Sequence, residues 1–454
     1  MDKWLHAALD YVPRWIDFQM RMSEQPGCVI AIAHRGQVVF ERAFGYADLV
    51  STEPLTVRHR FRIASHSKSF TAAGVLTLRD RGKLKLDDPI GRYVANLNEQ
   101  IAKVTIVQLL SHSAGIVRDG ADSGQFSDRR PFLDAVELIA DLQVPPTIKP
   151  NTRFKYSNHG YGLIGLAIEA ITGESYVSWI KREIVEAAGL AETEADMPIA
   201  GGIPFARGHS AKLPIGRRLR IPGDGPARAI APAGGFVSTA HDLARFYYHL
   251  SPAAKKSILS VASRREIVRK RWRNPHSSLA RFYGLGTVSG TLAGWSWFGH
   301  SGGVQGYISR TVSLPEHLTV SVLTNAIDGP AIAWVDGAIH ILHDFAQHGA
   351  PSRKVIDWTG RWWSLWRTFD VVTLGRKVLI ANPALPNPFM DTVELHITGR
   401  DEGRIALAGG YESHGEKVRR IRNRSGEVVE FWLGGAKLLS EDMLASEIRA
   451  RYER

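Results

Sequence analysis

Ser65 and Lys68 are the two residues in this sequence whose types and spacing best fit a nucleophile with a neighbouring base. They stand three positions apart in the run Ser65-His66-Ser67-Lys68-Ser69, which opens a segment predicted to be helical as far as Gly82. In a helix this spacing places both side chains on one face, so the amine can reach the hydroxyl. A serine beside an amine is a nucleophile with its base, and a helix N-terminus favours an oxyanion formed there. Taken alone, such a pair is more often a helix cap with a solvated lysine.

Two further motifs change this interpretation. Tyr156-Ser157-Asn158 precedes a helical stretch, and His300-Ser301-Gly302-Gly303 ends one apolar strand and begins another. With the three motifs in this order, residues 1–350 resemble the serine β-lactamase and penicillin-binding-protein superfamily. The resemblance implies an α+β fold in which an antiparallel sheet is covered by helices.

The resemblance also implies roles for these residues. Ser65 attacks a carbonyl carbon, and water then hydrolyses the acyl-enzyme. Lys68 and Tyr156 share the proton transfers, as in class C β-lactamases, and each needs a shifted pKa to do so near neutrality. Asn158 holds Lys68 and the substrate amide. The backbone N–H groups of Ser65 and Gly303 form the oxyanion hole, and the other residues expected at the substrate are Ser301 and Gly302.

His300 narrows the expected substrate. Most β-lactamases have a lysine at this position, whereas a histidine is familiar in D-aminopeptidases and some DD-peptidases, which the stretch 299–307 resembles. A mostly neutral imidazole holds a substrate carboxylate less firmly than a fixed cation does. We therefore predict a serine hydrolase that is a D-aminopeptidase, D-peptidase or amidase on small D-residue peptides, amides or esters. The alternatives are a carboxylesterase, a DD-carboxypeptidase or weak β-lactamase, and a non-catalytic scaffold or sensor.

The run Gly299-His300-Ser301-Gly302-Gly303 also satisfies G-x-S-x-G, the nucleophile elbow of α/β-hydrolases. Asp328 and either His340 or His343 follow in the chain order that this second interpretation requires. The elbow needs a strand, a sharp turn and then a helix. The residues after Ser301 instead alternate as a strand does, so we favour the first interpretation.

The length of 454 residues exceeds what one compact core usually supports, so we predict two domains, 1–350 and 351–454. Residues 349–352, Gly-Ala-Pro-Ser, are typical of a linker. The second domain is expected to be a small all-β, barrel-like domain. Four tryptophans are expected in core or inter-domain packing: Trp358, Trp362, Trp363 and Trp366. In the first domain, the strands predicted after residue 280 are Tyr283–Val288, Trp295–Phe298, Tyr307–Leu314 and Leu318–Leu323.

Composition limits the remaining classes. Apolar residues make up 44% of the chain and charged residues 22%, as in globular proteins. The net charge of +12 is spread over several clusters with no nucleic-acid-binding motif beside them, which favours a solvated surface. The single cysteine, Cys28, excludes an internal disulfide. Without a signal peptide or membrane-spanning run, we expect a cytoplasmic enzyme acting on a small-molecule or short-peptide substrate. We expect no metal, cofactor, nucleic-acid or membrane partner, and the oligomeric state stays open.

Overall fold

The computed structural model describes residues 2–213, 215–275, 277–409 and 413–453. Contacts divide the chain into two compact units. The sheet unit comprises Gln25–Val335, and the barrel unit comprises Met1–Glu24 with Asp336–Arg454. The sequence places a domain boundary at residue 350, whereas the contacts divide the chain at Asp336 and group its first helix with the barrel. That grouping depends on contacts between distant residues, such as the hydrogen bond from Tyr11 to Asp370 at 3.0 Å.

A nine-stranded antiparallel sheet is the framework of the sheet unit. Strands from both ends of this unit pair at its centre, where Gly27–His34 lies beside Leu318–Thr324. The strand that carries His300 pairs with the next one, and His300 lies opposite Thr311. In spatial order the strands are Glu53–Pro54, Gln37–Asp48, Gly27–His34, Leu318–Thr324, Tyr307–Ser313, Trp295–Val304, Val288–Leu292, Phe282–Tyr283 and Trp272–Arg273.

One predicted strand is wrong. The sequence predicts a continuous strand over Tyr283–Val288, but the structure has two strands, Phe282–Tyr283 and Val288–Leu292. Between them the chain makes a turn in which Gly284 N donates to the carbonyl of Thr287 at 2.8 Å. Gly286 lies in this turn with φ 65°, a left-handed conformation that glycine adopts without strain. The turn ends the strand Phe282–Tyr283, and Tyr283 is one of the residues of the candidate active site.

Helices cover this sheet. Ala240–His249 packs against its central strands, whereas Ser67–Asp80, Asn158–Thr172 and Ala231–Gly234 pack on one another. The mixed helix and sheet architecture confirms the predicted fold class. The α-helices of the sheet unit, within the described residues, are Ser67–Asp80, Glu99–Ala102, Ile106–Leu110, Ala135–Asp141, Asn158–Thr172, Tyr176–Ile180, Ala231–Gly234, Ala240–His249 and Val261–Ile267.

Aromatic packing fixes the helix Ser67–Asp80. Phe70 is fully buried, and its ring stacks on Phe246 with centroids 3.6 Å apart and on Phe236 at 4.5 Å. Replacement of a buried phenylalanine by alanine lowers the free energy of unfolding by about 3–5 kcal/mol. The helix ends where Gly82 takes φ 70° and Lys83 N donates to the carbonyl of Leu78. The first turn of this helix is therefore held firmly, and Lys68 lies in that turn.

The barrel unit contains a closed eight-stranded barrel, as the sequence predicts for the C-terminal part. Trp358 and Trp362 belong to its core, but Trp366 is 90% exposed in a turn, so the expected packing is wrong for Trp366. The helices of this unit are Lys3–Ser23, the part of Ala331–His348 that follows Val335, and Glu441–Tyr452. The barrel strands are Gly360–Trp363, Thr368–Leu374, Lys377–Ala381, Val393–Ile397, Glu402–Leu407, Lys417–Arg422, Val428–Leu433 and Ala436–Leu439.

Across the described ranges of both units, each helix is either too short or too polar to cross a membrane.

Candidate active site

Ser65 lies in a short 3-10 helix, Ala64–His66, which runs directly into the helix Ser67–Asp80. Its backbone is anchored on both sides, because Ile63 N donates to the carbonyl of Phe236 at 3.0 Å and His66 N donates to that of Ile63 at 3.2 Å. Ala64 takes φ 47°, which is uncommon for a residue with a Cβ. Such backbone strain persists only where surrounding contacts enforce it, and it is frequent at functional positions.

Lys68 is fully buried, and its amine lies within hydrogen-bond distance of three oxygens. Nζ is 3.1 Å from Ser65 Oγ, 2.8 Å from Asn158 Oδ1 and 2.7 Å from the carbonyl of Ala233. Burial lowers the pKa of Lys68 well below its ordinary value, and the carboxylate of Asp119 only partly opposes this effect. The geometry thus holds an amine that favours its neutral form against the Ser65 hydroxyl.

Tyr156 and Asn158 complete the group that we call the Ser65 cluster: Ser65, Lys68, Tyr156 and Asn158. Tyr156 Oη lies 2.8 Å from Ser65 Oγ and donates to it. Burial raises the pKa of Tyr156, so the phenol keeps its proton near neutrality. Asn158 begins the helix Asn158–Thr172, whose N-cap is Ser157, and its Nδ2 donates to Asp119 Oδ1 at 2.6 Å. Because Nδ2 of Asn158 faces Asp119, the Oδ1 atom of the same amide is the one that faces Lys68.

His300 is buried behind the cluster and belongs to a directional hydrogen-bond chain. Ser157 N donates to His112 Nδ1 at 3.1 Å, so the proton of His112 must be on Nε2, which donates to Tyr283 Oη at 3.1 Å. The Tyr283 hydroxyl is then free to donate to His300 Nε2 at 3.1 Å. His300 Nδ1 lies 2.6 Å from the carbonyl oxygen of Ser301 and accepts from Ser301 N at 3.0 Å.

Burial, together with the nearby Lys68, lowers the pKa of His300 to about 3. Burial also lowers the pKa of His112 well below its ordinary value. Both imidazoles are therefore neutral at physiological pH. At the position where a lysine would place a fixed cation, this chain has an uncharged ring.

Two cavities meet at Tyr156. A cleft of about 500 Å³ is lined by Ser65, Tyr156, Asn158 and Gly303, together with Arg118 and Asp119 among others. A smaller cavity of about 290 Å³ contains Tyr156 again, with Tyr283, His300 and Ser301. Six of the eight predicted site residues line these two cavities; Lys68 and Gly302 are buried next to them.

Gly302 is buried beneath the cleft. A Cβ at Gly302 would lie 2.1 Å from the carbonyl oxygen of Ile63, so only glycine allows this strand to approach the backbone that precedes Ser65. Ser301 lies within the strand Trp295–Val304, and the turn and helix of a nucleophile elbow do not follow it. The structure thereby contradicts the α/β-hydrolase interpretation of this motif.

Sequence reasoning missed three participants: Asp119, His112 as a hydrogen-bonding residue, and Tyr283. His112 and Asp119 lie close together in the chain, but nothing in their spacing shows which way the side chains point. Tyr283 carries no motif at all, because its role arises where a turn ends a strand. Within the described residues, no group of three or more His, Cys, Asp or Glu side chains could hold a metal ion.

Comparison with known proteins gives the following matches. A family model described as beta-lactamase matches residues 12–333. Penicillin-binding protein 4* of Bacillus subtilis is 33% identical over 173 residues, which are 37% of this chain and 37% of that protein. The chain thus spans little more than a third of the length of the curated relatives it matches.

Among solved structures, the octameric penicillin-binding protein homologue from Pyrococcus abyssi aligns with 95% of this chain and 99% of its own, with a TM-score of 0.65 and 25% identity. The D-amino acid amidase from Ochrobactrum anthropi complexed with D-phenylalanine aligns with 73% of this chain and 99% of its own, with a TM-score of 0.63 and 23% identity. At that identity the amidase shows a shared fold only.

The neutral state of His300 predicts a pH effect on stability. An unfolded histidine has a pKa of about 6.5, so between about pH 6.5 and 3 the unfolded state binds a proton that the folded state excludes. The stability contributed by the lowered pKa is fully present above pH 6.5 and is lost as the pH falls. We expect His300→Gln to flatten the fall in unfolding free energy between pH 6 and 4.5 by up to about 1.4 kcal/mol per pH unit.

Urea denaturation at several pH values would measure these slopes. Ser301→Ala, a neighbouring substitution without an ionisable group, should follow the wild-type slope. Parallel slopes for the wild type and His300→Gln would contradict the prediction.

Proposed function

The chain belongs to the beta-lactamase family of serine hydrolases, and we propose that it is an amidase or aminopeptidase that hydrolyses small D-aminoacyl amides, peptides or esters. The observation that carries the proposal is the contact between the hydroxyl of Ser65 and the buried amine of Lys68, at 3.1 Å. A nucleophile beside a base of lowered pKa is the arrangement that acyl transfer needs.

The hydrogen bonds of Lys68 support its role as the base. A neutral amine has two protons and one lone pair. Asn158 Oδ1 and the carbonyl of Ala233 can only accept, so they take both protons, at 2.8 and 2.7 Å. The lone pair of Nζ is left facing Ser65 Oγ. As Ser65 attacks a carbonyl carbon, its proton passes to Lys68 and the oxyanion forms beside the Ser65 and Gly303 N–H groups.

Tyr156 is the proton donor in this scheme. Its phenol is protonated and already donates to Ser65 Oγ at 2.8 Å, so it lies where the leaving nitrogen would be after attack. Cleavage of the C–N bond takes a proton from Tyr156, which the Lys68 ammonium replaces. The net result is transfer of the Ser65 proton to the leaving amine, and water reverses these roles in deacylation.

The uncharged His300 supports the choice of substrate. β-Lactams and peptides with a free C-terminus present a carboxylate that a fixed cation would attract, and a neutral imidazole gives up that attraction. Amide substrates that have no carboxylate do not use this attraction, so a neutral imidazole in place of a cation does not weaken their binding. The D-amino acid amidase from Ochrobactrum anthropi has the same fold, and the proposed preference for D-residues follows that likeness.

Asp119 supports recognition of a free amine on the substrate. It lines the cleft beside Ser65, and its side chain is 12% exposed. One carboxylate oxygen accepts from Asn158, and the other lies 3.1 Å from Arg118 Nε. Arg118 is well exposed, so an α-ammonium group could share this carboxylate with it.

Labelling tests the nucleophile. A fluorophosphonate reacts with activated serines, and we expect peptide mapping by mass spectrometry to find its adduct on Ser65. Lys68→Ala should slow the labelling by about 100-fold to 10,000-fold because the base is lost. Ser301→Ala is the matched control and should label at the wild-type rate. An adduct on Ser301 instead, or on no serine, would refute the assignment.

A substrate panel tests the activity. We expect kcat/KM to be higher for D-alaninamide than for L-alaninamide by about tenfold or more, with a chromogenic cephalosporin hydrolysed most slowly. A higher rate with phenyl acetate than with any amide would favour the carboxylesterase. Preferential turnover of the cephalosporin would reject the substrate assignment. Stoichiometric acylation without turnover would indicate a sensor.

Asp119→Asn tests recognition of the amine. We expect KM to rise about tenfold for D-alaninamide and to change little for N-acetyl-D-alaninamide, because only the first carries an ammonium group. Any effect on Lys68 or on the orientation of Asn158 would lower kcat for both substrates alike. Asp122→Asn, which removes a carboxylate paired with Arg129, is the control. Equal changes for the two substrates would make Asp119 a positioning residue only.

A further inference from the structure

The cleft beside Ser65 has two walls that come from distant parts of the chain. One wall is the end of the strand Trp295–Val304 with the residue that follows it, Gln305. The other is the loop 117–133, which we call the cleft loop. The strand side contributes Gly303, Val304 and Gln305 to the cleft, and the cleft loop contributes Arg118, Asp119, Ser123, Phe126 and Phe132. The space next to Ser65 therefore depends on how these two walls are held together.

The cleft loop is fixed at both of its ends. Ser157 Oγ donates to the carbonyl of Val117 at 2.6 Å, and Ala229 N donates to the carbonyl of Leu133 at 3.1 Å. Between these anchors the loop forms a 3-10 helix, Gly124–Ser127, which lies several residues away from either end. Contacts made by this helix therefore help to fix the middle of the loop.

Gln305 joins the two walls. Its Nε2 lies 2.6 Å from the carbonyl oxygen of Gln125 and 3.3 Å from Asp128 Oδ1, and an amide nitrogen has two protons, one for each acceptor. The turn that holds Gln305 is itself closely packed, because Gly306 takes φ 85° and a Cβ there would lie 2.6 Å from Cα of Gly208. We call this pair of hydrogen bonds the Gln305 bridge. The bridge ties the middle of the cleft loop to the end of the strand and closes the cleft there.

The acyl part of a substrate would extend toward this bridge. Its carbonyl carbon would lie at Ser65 and its carbonyl oxygen beside Gly303 N–H, whereas the leaving nitrogen would lie at Tyr156. Tyr156 is shared with the second cavity, which also contains His300, so the acyl part would occupy the cleft on the Gly303 side. An extended chain rises about 3.3 Å per residue, which places Gln305 about 7 Å beyond Gly303. One acyl residue fits within this distance, and a second would meet the bridge.

We propose that the Gln305 bridge limits the acyl part of the substrate to a single residue. The proposal rests on the function proposed above and adds a substrate class to it: amides and peptides that are cleaved after their first residue and not within a longer chain. Asp119 lines the same cleft, so the α-ammonium group of that single residue has a partner there. Gln305 determines specificity and takes no part in the proton transfers.

Two blocked amides test the length of the acyl part. N-acetyl-D-alaninamide and N-acetylglycyl-D-alaninamide have the same leaving group, ammonia, and neither has an ammonium group, so they differ only by one acyl residue. In the wild type we expect kcat/KM for the release of ammonia to be about tenfold or more higher for the shorter amide. Gln305→Ala removes the bridge and should bring the two values within about twofold of each other.

Gln305→Glu separates the bridge from the size of the side chain. A carboxylate of the same size cannot donate to the carbonyl of Gln125 and carries the same charge as Asp128, so this variant should behave like Gln305→Ala. Gln100→Ala, which removes an exposed glutamine on the helix Glu99–Ala102, is the matched control and should keep the wild-type ratio. A wild-type ratio in folded Gln305→Glu would overturn the proposal, because the size of the side chain alone would then set the limit.

Boronic acids test the bridge without turnover. Acetamidomethylboronic acid and (acetylglycylamino)methylboronic acid add reversibly to a nucleophilic serine hydroxyl and differ by one acyl residue. In calorimetric titrations of the full chain, we expect the shorter acid to bind about tenfold more tightly to the wild type and both acids to bind equally to the Gln305 variants. Circular dichroism would check that each variant folds.

The two experiments separate this proposal from the proposed function. If neither amide is hydrolysed but the boronic acids bind with the expected difference, the proposed function fails and the Gln305 bridge stands. Equal binding of the two acids to the wild type, no binding of either, or an unchanged difference in a folded Gln305 variant would overturn the proposal.

Discussion

Burial of the Lys68 amine is the constraint on which the site depends. An isolated ammonium group in a protein interior loses its hydration, and this loss moves the equilibrium toward the neutral amine. Lys68 is nevertheless fully satisfied, because Asn158 and Ala233 offer acceptors that a neutral amine can use with its two protons. The packing of Phe70, two residues further along the helix, fixes where the amine lies. Stability and reactivity thus depend on the same buried helix.

The groups around Lys68 follow from this constraint. A second fixed cation beside a buried amine would be unfavourable, and the rings behind it are two neutral imidazoles linked through Tyr283. Their hydrogen bonds run from Ser157 N–H through His112 and Tyr283 to His300 Nε2. One carboxylate, Asp119, stands near enough to raise the pKa of Lys68 and partly offset its burial. Burial is the larger of these effects, so the pKa of Lys68 stays well below its ordinary value.

Much of this was predictable from the sequence, for reasons that differ between residues. Ser65 and Lys68 are joined by helical spacing, so their contact is a local property that three intervening positions already specify. Tyr156, Asn158 and His300 were identified through motif order and a family resemblance, since their approach to Lys68 spans about ninety residues and more. Asp119 and Tyr283 could not be found in this way. Asp119 lies in a loop, and Tyr283 lies just before the turn that contains Gly286. The periodicity of apolar residues in the sequence predicts the position of neither side chain.

The barrel shows a different limit of sequence reasoning. Alternating apolar residues predict its strands, and they predict equally well a barrel that is filled and one that is hollow. The distinction lies in how large side chains are distributed between the ends. Trp358 and Arg420 close one end, where Asp357 and Asp401 satisfy the guanidinium. At the other end the interior side chains are aliphatic, and Trp366 points to solvent. A barrel closed with a buried ion pair at one end only must either leave apolar surface in contact with water at the other or cover it with something else. The C-terminal helix Glu441–Tyr452 lies beside this end, where Leu444 and Ile448 contribute apolar surface although none of the helix side chains is buried.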